Sequence, residues 1–244
     1  LVATSADPTS FTFAPPAVWH TQPAGTTNFG RLLVRAGDFN GDGNADLAQL
    51  RDSGSNQIKV WVQATNTAGT AFLGPVQWFD TLPEAWNFDA MSVSVANFGG
   101  DARADLAVVH NQGNAQARAH ALVSDGTQFL LAPWWQSAAG AFDLARAKIA
   151  AGNYAGGAHA DLAALHDGGM NSATVSVLTS TGTAFEPPRQ ILGSGPGGLP
   201  WPRVAFGGSR TNVNMATEAS WAASSSAPTD WGWSLAGVRD GTRG

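Results

Sequence analysis

Between residues 38 and 47 the chain reads Asp-Phe-Asn-Gly-Asp-Gly-Asn-Ala-Asp-Leu, so that Asp or Asn stands at every second position five times in succession. Gly41 and Gly43 allow a tight backbone turn, because glycine reaches positive φ without steric cost. The oxygen-bearing side chains can then converge, with a backbone carbonyl filling in. Hard cations such as Ca²⁺ take about 6–8 oxygens at roughly 2.3–2.6 Å, and this stretch supplies most of that number.

The spacing differs from an EF-hand. The Asp-x-Asn-x-Asp opening is present, but no bidentate Glu follows, and the segment continues into Ala45-Asp46-Leu47-Ala48-Gln49-Leu50, which has β character. The alternative to a metal loop is a solvated Asx turn between strands, since Asn, Asp and Gly dominate turns. The strict alternation of five oxygen donors points to metal.

The loop recurs in decaying form. A second copy runs Asn97-Phe98-Gly99-Gly100-Asp101-Ala102-Arg103-Ala104-Asp105-Leu106, and a third runs Asn153-Tyr154-Ala155-Gly156-Gly157-Ala158-His159-Ala160-Asp161-Leu162. A degenerate fourth begins at Asn212. The starts at 38, 97, 153 and 212 are 59, 56 and 59 residues apart. A turn glycine follows at 29 residues in the last three copies (Gly126, Gly182, Gly241) and at 31 in the first (Gly69).

Strand-like segments fill the spaces. Arg31–Ala36 precedes the first loop and Asp46–Arg51 follows it. Ile58–Gln63 alternates with period two, the mark of a half-buried strand. Phe72–Trp78 makes a fourth, its proline suiting an outer edge. Four strands per repeat, in an array, predict an all-β chain forming one β-propeller domain over 1–244, with about four four-stranded blades. An outer-strand segment at 11–19 and an inner one at 231–239 would share a blade in a closed ring. The alternatives are part of a larger ring, such as a seven-bladed one, or half of a ring completed by a second chain.

Composition narrows the function classes. With 43% apolar and 13% charged residues and a formal charge of −5, the chain is globular. It lacks a basic cluster, so nucleic acid is not an expected partner, and no apolar run is long enough for a membrane span. The absence of cysteine removes disulfides and thiolate chemistry. Leu1 is compatible with a cleaved leader, and a loop of this type needs the millimolar calcium found outside cells, so a secreted protein is expected.

The stretch 38–47 and the Asn97-Phe98-Gly99-Gly100 sequence resemble the FG-GAP or VCBS repeat family, and the repeat covers nearly the whole chain. The resemblance implies a calcium-binding propeller. Within it, Asp38, Asn40, Asp42 and Asp46 are side-chain ligands and Asn44 contributes its carbonyl. Asn97, Asp101 and Asp105 form a weaker second site, because Gly99 replaces a ligand. The third copy keeps only Asn153 and Asp161, and no metal is expected at Asn212, Asn214 and Glu218. The family includes integrin α-chain head propellers, mushroom lectins that bind sugars between blades, and accessory modules of secreted enzymes. Most of its propellers have seven blades.

Nothing in the sequence nominates catalysis. There is no Gly-x-Ser-x-Gly elbow, His-Glu-x-x-His helix or phosphate loop, and Asp52, Asp143, Asp167 and Glu186 are too scattered to name a glycosidase pair. The aromatic residues say more, with ten Trp and twelve Phe against one Tyr. Trp86, Phe142 and Trp201 each lie 11 residues ahead of a loop start, whereas Thr27 holds that position in the first copy. Trp19, Trp78 and Trp135 end outer strands, where packing between blades is expected. Trp86 and Trp201, in Pro- and Gly-rich connectors, are candidates for exposure and for stacking on sugar rings. Arg51, His110 and His166 each fall 13 residues after a loop start and are candidate pocket residues, or else strand ends facing water. His159 is read as solvated. The expected function is carbohydrate or glycoprotein binding without catalysis. The alternatives are a protein-interaction or adhesion module, and an accessory or catalytic propeller of a polysaccharide-degrading enzyme.

Overall fold

The computed structural model describes residues 5–7, 12–13, 15–83 and 85–193. The fourth loop copy, the segment 231–239 and Trp201 lie outside the described residues. The described chain is all-β, with three four-stranded antiparallel sheets. Two short strands, β1 (Ser5–Asp7) and β2 (Thr12–Phe13), pair with each other ahead of them. The first sheet is a meander of β3 (Leu32–Gly37), β4 (Asp46–Asp52), β5 (Ile58–Gln63) and β6 (Val76–Asp80). The second contains β7 (Met91–Ala96), β8 (Asp105–Gly113), β9 (Gln116–Ser124) and β10 (Phe129–Gln136). The third contains β11 (Ala147–Gly152), β12 (Asp161–Gly169), β13 (Ser172–Leu178) and β14 (Arg189–Gly193). Each oxygen-rich stretch is the loop between the first two strands of its sheet. Among the described residues no helix is long and apolar enough to cross a membrane.

The sheets follow from local chemistry. In β5, Ile58, Val60 and Val62 are buried while Lys59 and Trp61 are half-buried, as a period-two strand requires. Each second-to-third-strand hairpin turns through two residues of positive φ: Ser55 and Asn56, Asn114 and Ala115, Met170 and Asn171. That is the type I′ geometry that suits twisted strands. Asp52, Asn111 and Asp167 accept from the N–H of Gly54, Gly113 and Gly169 at 2.7–2.8 Å and so set up these turns. The fourth strand begins later than the expected Phe72–Trp78. Phe72 makes only an isolated bridge to Thr65, and β6 starts after Pro75, which has no N–H to donate.

The sheets pack face to face in chain order. From the second sheet, Leu106, Val108 and Leu122 join Leu50, Val60 and Val62 of the first in one core. Its opposite face, with Ala107, Val109, Ala119 and Ala121, joins Leu162, Ala164 and Leu178 of the third. Because neighbouring side chains on a strand point to opposite faces, a strand covered on both sides reads as the unbroken apolar run 106–109. The first strands β3, β7 and β11 lie beside one another. An aromatic rivet closes each junction. Phe129 meets Phe39 edge-on at 5.6 Å and Trp78 at 5.3 Å, and Phe185 meets Phe98 at 5.6 Å and Trp134 at 5.0 Å.

The rivets supply a test of packing. Phe98 is fully buried, so Phe98→Ala should lower the unfolding free energy by about 3–5 kcal/mol. Val76→Ala, on the exposed edge strand β6, should change it by about 0.5 kcal/mol or less. Urea unfolding of the two variants measures both effects.

Candidate functional site

Each oxygen-rich loop is closed by one buried carboxylate. In the first loop Asp46 accepts from the N–H groups of Phe39 at 3.1 Å and Asn40 at 3.3 Å through Oδ2, and from Thr65 N–H at 2.9 Å through Oδ1. Asp105 accepts from Phe98, Gly99 and Ser124 at 2.8–2.9 Å. Asp161 accepts from Tyr154, Ala155 and Ser180 at 2.8–2.9 Å. All three carboxylates are buried. Each ties the loop start to the residue 27 positions beyond it, at the far end of the third strand. Burial pushes Asp46 and Asp105 up to about 6, against the pull of their three N–H donors. The contacts are the same in all three modules, so this aspartate has a structural task that does not depend on metal.

The same loops join neighbouring sheets. Ala104 N–H donates to the Asp38 carbonyl at 2.8 Å, and Ala160 N–H to the Asn97 carbonyl at 2.9 Å. The Ser124 hydroxyl donates to the Phe39 carbonyl, and the Ser180 hydroxyl to the Phe98 carbonyl.

The first loop concentrates negative charge. Asp38 accepts from the N–H groups of Gly41, Asp42 and Gly43 at 2.7–3.1 Å. Asn40 Oδ1 accepts from Asp42 N–H at 2.8 Å, and Asp42 Oδ1 from Asn44 N–H at 2.8 Å. Gly41 and Gly43 have φ of 81° and 87°, which only glycine adopts freely. Among the described residues no cationic side chain forms an ion pair with Asp38, Asp42 or Asp46, and no three His, Asp or Glu side chains yet converge on a common point. Three uncompensated carboxylates with an amide and a carbonyl form an all-oxygen donor set, which is the chemistry of a hard divalent cation. Asp38 Oδ1 and Asp46 Oδ2 each accept two N–H bonds, whereas Asp38 Oδ2, Asp42 Oδ1 and Asp46 Oδ1 each accept one backbone N–H and keep a further lone pair. Asp38, Asn40, Asp42, Asp46 and the Asn44 carbonyl are oxygen donors of that kind. In the second loop Asn97 and Asp105 serve backbone N–H groups in the same way, and Asp101 is paired with Arg103.

Three expectations about exposure are corrected. Trp86 is 3% exposed. It wedges into the first junction, with its backbone N–H on the Asn56 carbonyl at 2.9 Å and its indole against Phe79, His110 and His120 at 5.3–5.7 Å. Phe142 plugs the second junction in the same way, donating to the Ala115 carbonyl and meeting Trp135 and His166. Arg51, His110 and His166 do not form strand ends facing water. His110 is buried, the other two are half-buried, and Arg51 lies over the Trp61 ring at 5.1 Å. His159 is half-buried against Gly100 and Gly182 rather than solvated. The period of 59 and 56 residues located these positions, but it does not report which face of a sheet meets a neighbour.

His110 and His120 stack at 5.0 Å, and His110 Nε2 lies 3.1 Å from His120 Nδ1. The Gln112 amide nitrogen donates to His110 Nδ1 at 3.0 Å, which places the His110 proton on Nε2, directed at His120. Burial lowers both imidazoles to about 4, helped by the nearby Arg118 charge and, for His110, by His120 itself.

The first sheet differs from the others at the face that no other described sheet covers. Where Trp86 and Phe142 fill the later junctions, Thr27 leaves a cavity of about 490 Å³ bounded by Trp19, Gln22, Thr27, Gln49, Gln63 and Phe72. Gln49 and Gln63 stand where the second sheet has Val108 and Leu122, as the shared strand register shows. Gln49 Nε2 donates to Gln63 Oε1 at 2.6 Å, and Arg51 to Gln49 Oε1 at 2.6 Å. Thr27 donates to Gln22 Oε1 at 2.6 Å. Trp19 and Phe72 pack at 5.3 Å. Sequence reading noted that Thr27 breaks the aromatic series, yet it missed Gln22, Gln49 and Gln63. Only the strand register shows that the last two replace apolar residues.

Two outcomes follow. At His110 and His120 the folded state binds fewer protons than the unfolded chain between about 4 and 6.5, so the stability that these two groups contribute is complete above pH 6.5 and is lost as the pH drops towards 4. The contribution of Asp46 and Asp105 is opposite in sign, because they favour the protonated folded state below about 6. The imidazole loss belongs to the stacked pair as a unit and is on the order of a few kcal/mol. His120→Phe should lose less stability than the wild type between pH 7 and pH 4.5, as read by denaturant titrations of the two proteins side by side. Asp161→Ala takes the acceptor from three backbone N–H groups, that of Ser180 buried, and should cost about 1–3 kcal/mol, equally with and without chelator. No protein-family model matches the chain, and no curated protein matches its sequence.

Proposed function

We propose that the chain is a secreted, calcium-stabilised β-propeller of FG-GAP type that binds carbohydrate without catalysis, in the pocket beside Trp19. Support for the propeller comes from three sheets of one pattern, packed face to face through equivalent residues, with a fourth loop copy starting at 212 outside the described residues. Support for calcium comes from the uncompensated carboxylates of the first loop. Extracellular localisation follows from the calcium concentration that a loop of this kind requires.

The observation that carries the carbohydrate reading is the change of chemistry at the face of the first sheet that no other described sheet covers. An aromatic plug is replaced by Thr27, and two apolar positions are replaced by Gln49 and Gln63. Amides that donate and accept, set beside the indole of Trp19, match a ring with hydroxyl edges and apolar C–H faces. Arg51, held over Trp61 and bonded to Gln49, orients the amide pair. Trp86, His110 and His166 act in this reading as junction packing, and Trp201 is left outside the described residues.

A second reading, protein interaction, is favoured by Val34. This β3 residue is 43% exposed on the face that the second sheet buries against its neighbour. A partner chain covering that face would complete or extend the ring.

A glycan array followed by calorimetry tests the first reading. Binding should weaken at least tenfold in Gln49→Leu/Gln63→Leu and in Thr27→Trp, which refills the plug. Binding to no glycan would remove the lectin reading, and concentration-dependent association seen by sedimentation would favour the second. For the metal, chelator should lower the melting temperature by several degrees. Asp42→Ala should abolish most of that difference, whereas an unchanged melting curve would leave the loop a simple turn.

A further inference from the structure

The position six residues after each loop start carries a different side chain in each module: Asn44, Arg103 and His159. In the second loop Arg103 folds back on its own hairpin. Its Nη2 pairs with Asp101 Oδ2, and its Nε donates to the Ser124 carbonyl at 3.0 Å. Asp101 Oδ1 also accepts from the Arg103 backbone N–H at 3.0 Å. The aliphatic stem runs between two glycines. A Cβ on Gly41 of the first loop would lie 3.2 Å from Arg103 Cγ, and one on Gly126 would lie 3.7 Å from Cδ. His159 repeats this placement one module on, against Gly100 and Gly182. The six-position side chain thus covers the third-position glycine of the preceding loop.

The two loops with most of their oxygen donors now contrast sharply in charge. Asp38, Asp42 and Asp46 have no ion-pair partner among the described residues, whereas Asp101 has Arg103. The second loop has also lost a donor, with Gly99 where the first has Asn40. We infer that Arg103 is the built-in cation of the second loop, taking the electrostatic role proposed for calcium in the first, so that the second loop holds its shape without metal. A divalent ion approaching Asp101 would meet a guanidinium already bonded to that carboxylate. The first-loop calcium reading supplies the comparison, while the Arg103 contacts stand independently of it.

The experiment compares melting curves of the full chain in chelator and in millimolar calcium. Arg103→Gln should lower the melting temperature in chelator by about 2–6 °C. Calcium should then raise it by more than it raises the wild type, because Asp101 is released to bind. Arg103→Gln/Asp101→Asn should lack that additional response, and Arg103→Lys, which keeps the charge, should not acquire it. Gly99→Asn/Arg103→Gln restores the missing donor and should bind one more calcium per chain than the wild type, read by calorimetry. An identical calcium response in Arg103→Gln and wild type would overturn the inference, as would loss of bound calcium on Asp101→Asn alone. That last variant keeps the hairpin's backbone bonds and guards against a folding defect in the others. If the wild type shows no calcium response, the first-loop reading fails, while the gain in Gly99→Asn/Arg103→Gln still decides the role of Arg103.

Discussion

A buried carboxylate that accepts three backbone N–H groups underlies the whole repeat. Asp46, Asp105 and Asp161 each bind two amides at the start of their loop and one at the end of the third strand. Placing a charge out of water is costly unless its oxygens are well bonded, and these are. The same three contacts join the tip of the first hairpin to the far end of the second. They also position the backbone carbonyls of residues 38, 39, 97 and 98, which accept from the following module. The hydrogen bonds that shape one loop thus also orient the next sheet against it.

With that frame repeated, the side chains at equivalent positions are free to differ. The six-position residue is Asn44, Arg103 or His159. The plug is Thr27, Trp86 or Phe142. The 13-position residue is Arg51, His110 or His166. The second junction is alanine-rich, the first holds a stacked pair of imidazoles, and the face of the first sheet that no described sheet covers carries amides. The backbone is kept by main-chain contacts, so these exchanges alter charge, volume and polarity without rebuilding the sheets. Charge, aromatic packing and amide content thereby differ from module to module along one chain.

Much of this plan was legible in the sequence. Loop spacing located the hairpins, and Ile58–Gln63 was bounded correctly as a strand. Asp52 and Asp167 look scattered in the sequence, and only the fold shows that they share with Asn111 the task of setting up a hairpin turn. Trp86 was misread as exposed because its neighbours in the sequence are polar or proline-rich, while the partners that bury it, Phe79, His110 and His120, come from two sheets. Asp46 looked like one more ligand in an alternating series. Only the fold reveals that both of its oxygens already serve backbone amides.

By itself the sequence determined the all-β class, the module length, the position of every described loop and the donor chemistry of residues 38–46. These depend on alternation, turn residues and spacing, which are local properties of a chain. The tertiary structure decided which side of each strand is covered, which aromatic ring fills a junction, and that Gln49 and Gln63 face an open cavity. It also decided that Asp101 is answered by Arg103 while the carboxylates of the first loop are not. Those outcomes depend on distances between residues far apart along the chain, and a pattern of residue types carries no record of them until the sheets have packed.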